Sequence, residues 1–67
     1  MAQDMSPAQF TAWIEAMKAR YRIRSNAELA RALGIGPHTF SRYLHGGADK
    51  RTALACRALY HNMEPWE

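Results

Sequence analysis

Five polar side chains between Pro37 and Gly46 carry the most chemistry in this chain. His38, Thr39, Ser41, Arg42 and His45 interleave with Phe40, Tyr43 and Leu44, which recur at spacings of three and four. That spacing is helical and gives one apolar and one polar face. The polar face carries imidazoles, hydroxyls and one guanidinium, whose planar fork donates two parallel hydrogen bonds. Such a set recognises a polar or anionic surface. Little in the sequence favours catalysis. The carboxylates are scattered, with no pair spaced for acid–base work. No glycine-rich phosphate loop follows a strand pattern. His38, His45 and His61 with Cys56 match no zinc-ligand spacing. The expectation is a protein that is not an enzyme and needs no metal, cofactor or small-molecule ligand.

The charge distribution points the same way. All nine Lys and Arg lie between Lys18 and Arg57, against only Glu28 and Asp49, a local charge of +7. Asp4, Glu15, Glu64 and Glu67 make the ends acidic, so the formal total is only +3, with a pI near 9.5. A basic centre between acidic ends is the footprint of a polyanion-binding face. Charge alone fits a merely solvated surface equally well. The length, 67 residues, has room for one domain with one small core. A lone cysteine, Cys56, cannot form an internal disulfide. No apolar run approaches the roughly 20 residues that span a bilayer, and no hydrophobic leader is visible. A reducing cytoplasm and no membrane partner are expected.

Helices must position the polar face. Met1 to Met5 reads as a flexible arm. Ser6-Pro7-Ala8-Gln9 reads as a helix start, with Ser6 as cap and Gln9 closing a capping box. Phe10, Trp13, Ile14, Met17 and Tyr21 then mark one buried face, ending near Tyr21. Ser25 caps a second helix with Glu28 as its capping-box partner, and Leu29, Ala30 and Leu33 share a face. Gly34 ends it, because glycine accepts the left-handed backbone found just past a helix. Ile35 returns to the core, and Pro37 suits the first turn of the third helix, which Gly46-Gly47 stop. Asp49 caps a last helix, expected over residues 49–64 and ended by Pro65. Its apolar stripe is broader than one core needs, which suggests a second surface.

Residues 25–47 therefore pair two short helices across a glycine-marked turn. This stretch resembles the helix-turn-helix of the lambda-repressor/Cro-like family. Ala30 stands where that pattern has a small residue at the helix crossing. Gly34 follows four residues later and opens the turn, flanked by apolar Leu33 and Ile35. Phe40 and Tyr43 take the apolar positions six and nine residues beyond that glycine. The match covers about 22 of the 67 residues. Pro37 departs from the pattern, so no base contact is carried over to it. The resemblance implies a compact all-α domain of four or five helices, one domain over residues 1–67, that binds double-stranded DNA.

In that family the second motif helix enters the major groove, about 12 Å wide, and reads base edges. The reading residues would be His38, Thr39, Ser41, Arg42 and His45. Arg42 suits a bidentate pair to guanine, His38 a guanine acceptor, and Thr39 a thymine methyl or a phosphate. Phosphate contacts would come from Arg24, Ser25 and Asn26 at the start of the second helix, from the Tyr43 hydroxyl, and from Lys50 and Arg51. Ser25 would mainly cap. A stand-alone protein of this size would act as a homodimer on a palindromic operator. Leu54, Ala58, Leu59, Met63 and Trp66 are the candidate dimer contacts. The resemblance implies a repressor that controls its own operon, in a phage or anti-CRISPR setting. Alternatives are the antitoxin of a toxin–antitoxin pair, and a protein-interaction module that docks partners through the last helix.

Overall fold

Ser6 opens the first helix as its sequence requires. Its hydroxyl accepts the Gln9 N–H at 3.1 Å, and the Gln9 side-chain oxygen accepts the Ser6 N–H at 2.8 Å. Two donors that a helix start leaves without partners are thereby satisfied. Pro7, with no N–H to lose, takes the first helical position. Helix α1 then runs Pro7–Tyr21 and buries Phe10, Trp13, Ile14 and Met17. The structure, a computed structural model, describes residues 4–62. Among these, α2 spans Asn26–Leu33, α3 Pro37–Gly46 and α4 Lys50–Tyr60. Four helices are present, and none of the described residues forms a strand.

The expected buried face of α1 loses its last member. Tyr21 is 36% exposed, because the chain turns away at Arg22, which holds a left-handed φ of 55°. The Tyr21 hydroxyl instead donates to the Tyr60 carbonyl at 2.6 Å, joining the ends of α1 and α4. Arg20 closes this junction. Its guanidinium lies over the Tyr21 and Tyr60 rings, at 5.5 and 5.0 Å from their centroids.

Helix α2 starts on Ser25, whose hydroxyl accepts the Glu28 N–H at 3.4 Å. The reciprocal half of the expected capping box is not made. The Glu28 carboxylate accepts from the Arg24 N–H at 3.2 Å, one residue upstream of the cap. Gly34 ends α2 with a left-handed φ of 74°. Its N–H bonds the Arg31 carbonyl, and the Ile35 N–H bonds the Ala30 carbonyl, both at 3.0 Å. Gly36 and Pro37 then start α3 without a side-chain cap.

Phe10 is the centre of the core. It is fully buried, with its ring 5.5 Å from Trp13, 5.2 Å from Phe40 and 5.8 Å from Tyr43. These contacts seat α3 on α1, while α4 packs against both α1 and α2. The Trp13 indole N–H donates to the Cys56 carbonyl at 2.9 Å. Leu29, Ala30, Ala48 and Cys56 complete the buried set.

The expected arm over residues 1–5 needs a correction at its inner end. Residues 1–3 lie outside the described residues, but Met5 belongs to the fold. It pairs with Ala48 in an antiparallel bridge, N–H to carbonyl in both directions at 2.9 and 3.0 Å. The backbone N–H and C=O of a segment laid against the core need partners, and the α3–α4 connection supplies them.

The last helix is shorter than expected, Lys50–Tyr60 rather than 49–64. Asn62, with a left-handed φ of 55°, ends it before Pro65 is reached. At the other end, the Asp49 carboxylate accepts the Thr52 N–H at 2.8 Å. This bond, aided by the Thr52 side chain, holds the Asp49 carboxyl below the ordinary carboxylate range. A group whose pKa is lowered by folding stabilises the fold above its ordinary pKa, and loses that effect as pH falls through its folded value. Asp49→Asn keeps the cap and removes the charge. In urea unfolding, the parent is expected to be the more stable near neutrality. The gap should close as the pH drops below about 4, from the ordinary value of 3.8 downward. A gap independent of pH would assign the cap no electrostatic part. Among the described residues, no helix is long and apolar enough to cross a membrane.

Candidate nucleic-acid interface

Helix α3 is held by one face and leaves the other open. Phe40 is 4% exposed, and Tyr43 and Leu44 pack half-buried against the core. The remaining positions of a helix so anchored must face outward. His38, Ser41, Arg42 and His45 are all exposed, and Thr39 is half-buried. His38, Arg42 and His45, four and then three residues apart, form a single row along α3. The five residues assigned to base reading therefore share one helix, with Thr39 at its edge.

Ser41 stands somewhat apart, because it also reaches α2. Asn26, Ala27 and Ala30 of α2 and Pro37, Phe40, Ser41 and Leu44 of α3 line an open cleft of about 250 Å³. The fold thus brings Asn26, at the start of α2, and Ser41, on α3, to one cleft. Arg24 and Ser25 are exposed beside it in sequence. The Ser25 hydroxyl is occupied as a helix cap, as expected, and the Arg24 N–H is taken by Glu28. The Arg24 side chain extends from an exposed residue.

The other phosphate candidates form a second group. Tyr43 and Arg51 line a cleft of about 280 Å³ with Leu33, Ile35, Asp49, Thr52 and Ala55. The Thr52 hydroxyl donates to the Tyr43 hydroxyl at 3.3 Å, tying the phenol to α4. Tyr43 is thus chiefly a core residue whose hydroxyl joins α3 to the start of α4. Lys50 and Arg51 are exposed in the first turn of α4. Cations there oppose the helix dipole by about 0.3–1 kcal/mol. Arg20, in the last turn of α1, lies over the Tyr21 and Tyr60 rings.

Sequence reading missed Thr52 as the residue that orients the Tyr43 phenol, and Trp13 as a donor to α4. Neither has a local signal, since the partners lie 9 and 43 residues apart. Of the candidate dimer contacts, Leu54 is 46% exposed and Ala58 half-buried. Leu59 packs partly against the core, so much of its surface is already used. Met63 and Trp66 lie outside the described residues.

Among the described residues, no group of three or more His, Cys, Asp or Glu converges to hold a metal. Burial pushes the Cys56 thiol up to about 12, so it stays protonated at neutral pH and is a poor nucleophile. No family model matches the chain, and neither the curated proteins nor the solved structures give a match.

Proposed function

We propose that this protein is a sequence-specific double-stranded DNA-binding transcriptional repressor that reads the major groove with α3. The observation that carries the reading is the split of α3 into two faces. One is seated on Phe10 through Phe40 and Tyr43, and the other exposes His38, Arg42 and His45 in a row. An α-helix with such a face fits the major groove, and its donors match base-edge acceptors. The concentration of all nine cations between Lys18 and Arg57 supports the same reading. Asn26 with the first N–H groups of α2, and Lys50 with Arg51, would hold the phosphates on either side. So small a domain reads about half a site, so two copies would occupy a palindrome. Repression would follow from occupying a promoter and excluding polymerase, with the protein's own phage or anti-CRISPR operon as the target the motif's resemblance suggests.

The exposed Leu54 favours a second reading, in which α4 docks a protein partner and the helix pair is scaffold; an antitoxin would combine both roles. A salt titration of binding to random duplex separates them. A DNA binder loses affinity steeply with salt as counterions are released, whereas a docking module binds no duplex at all. Selection of bound duplexes from a random pool then defines the site. On that site, Arg42→Ala is expected to weaken binding by about 1–3 kcal/mol and to relax preference at one base pair. An equal loss on every sequence would make Arg42 a phosphate contact instead.

A further inference from the structure

The flank of α3 turned toward α2 is apolar, unlike the row beside it. The cleft of about 250 Å³ between the two helices has a floor of buried Ala30 and Phe40 with half-buried Leu44. Its rim is exposed Asn26 and Ala27 on α2, and exposed Pro37 and Ser41 on α3. Asn26 and Ser41 supply its polar groups, and the other lining residues are all apolar. Pro37 has no backbone N–H, so its ring adds an apolar wall without an unpaired donor. At 100° per residue, Ser41 lies about 40° around α3 from His45 and about 60° from His38. The cleft therefore borders the exposed row of α3.

Size and position determine what fills it. Pockets for free small molecules enclose about 300–1,000 Å³ and bury most of the ligand. This cleft is smaller and open, so it suits a group presented by a larger rigid body. It lies between the α3 row, assigned above to base edges, and the start of α2, assigned above to phosphate. On a duplex, the part of the base edge nearest the backbone lies between those two features. In the major groove that edge carries donors, acceptors and one apolar group, the C5-methyl of thymine. Cytosine has only a hydrogen at that carbon and would leave the cleft underfilled.

We propose that the α2–α3 cleft is a thymine-reading subsite, in which Ala27, Pro37 and Leu44 receive the C5-methyl of one thymine per bound copy while Asn26 holds a neighbouring phosphate. The inference rests on the proposed function and names one base that the site selects. Pro37 gains a base contact from its place in the cleft, where the helix-turn-helix resemblance gave it none. Ala27 joins the reading set from α2, outside the reading helix. Thr39 does not share this subsite, because it lies about 160° around α3 from Ser41, on the opposite flank. Taking one methyl out of water into such a cleft contributes about fourfold in affinity.

Deoxyuridine in place of thymidine removes the methyl and keeps Watson–Crick pairing, so it probes the subsite directly. In the duplex selected from a random pool, each thymine is replaced in turn, and competition titrations give the affinity ratio of the two forms. The parent is expected to lose about fourfold at one thymine per bound copy and little at the others. Pro37→Ala removes the ring from the rim, and Ala27→Gln fills the opening with a polar chain. Both positions are exposed, and far-UV circular dichroism with the melting midpoint checks that each variant keeps the fold. Either variant should bind the thymine and uracil duplexes equally. Thr39→Ser should keep the ratio even where overall affinity falls. Three results overturn the subsite: a selected site with no thymine, no thymine whose methyl matters, or a ratio that survives in both rim variants. A ratio lost only in Thr39→Ser places the methyl on Thr39 instead. In each of these cases duplex still binds, so reading by α3 stands. Absence of binding to every duplex overturns that reading and the subsite with it. Ala27 and Ser41 amide signals that shift with protein concentration would then assign the cleft to a second copy.

Discussion

Phe10→Ala is expected to lower the melting midpoint by tens of degrees. Phe10 is fully buried, and its ring meets Trp13 of α1 and both Phe40 and Tyr43 of α3. Truncating a core phenylalanine costs about 3–5 kcal/mol, from lost transfer energy plus the cavity left behind. A domain this small holds only about 3–10 kcal/mol in total. Each kilocalorie moves the midpoint by about 4–8 °C in so short a chain. The loss concentrates on α3, whose inner face has lost its central partner. Near-UV circular dichroism, which reports on Trp13 and the tyrosines, should fall along with the midpoint. A midpoint within about 5 °C of the parent would mean that the ring cluster contributes far less than its burial implies.

Gly47→Ala is the second large effect, and Gly46→Ala is its control. Gly47 combines a φ of 87° with a ψ of 172°, a backbone region essentially closed to residues with a Cβ, at a cost of about 1–3 kcal/mol. An added Cβ would also run into the Met5 carbonyl oxygen. That oxygen accepts the Ala48 N–H, so relief of the clash breaks the bridge that pins Met5. Each bridge bond adds about 0.5–1.5 kcal/mol. With both bridge bonds lost, the expected total is about 2–6 kcal/mol. Gly46, one residue earlier, is the last residue of α3 and has open space where its Cβ would go. Alanine there should be neutral or stabilising by up to about 1 kcal/mol. Urea midpoints of the two variants decide the matter, and equal values would show that the α3–α4 connection relaxes freely. The Gly47 loss would also disturb the link between α3 and the Lys50–Arg51 end of α4, so duplex binding of the variant is worth measuring beside it.

Much of this protein is legible without coordinates. The helices α1, α2 and α3 begin where Ser6, Ser25 and Pro37 announce them, because capping is a local event within four residues. The buried residues Phe10, Trp13, Ile14 and Met17 follow from helical spacing alone. So does the exposed row His38, Arg42 and His45, since fixing one face of a helix exposes the other. Tyr21 escaped that logic: it kept the helical spacing, but Arg22 turned the chain away and the phenol found the end of α4. Leu59 packs partly against the core, and which side of a broad apolar stripe does so depends on where α1 and α2 lie.

The line between the two kinds of information follows distance along the chain. Sequence determined what neighbouring residues decide among themselves: caps, turns, the two-faced α3 and the basic centre. Tertiary structure alone decided the pairings across many residues. Met5 joins Ala48, Trp13 donates to Cys56, Thr52 orients Tyr43, and Asn26 shares a cleft with Ser41. Each needs two segments brought together by burial of the Phe10 core, a nondirectional force that leaves no mark at either position in the sequence.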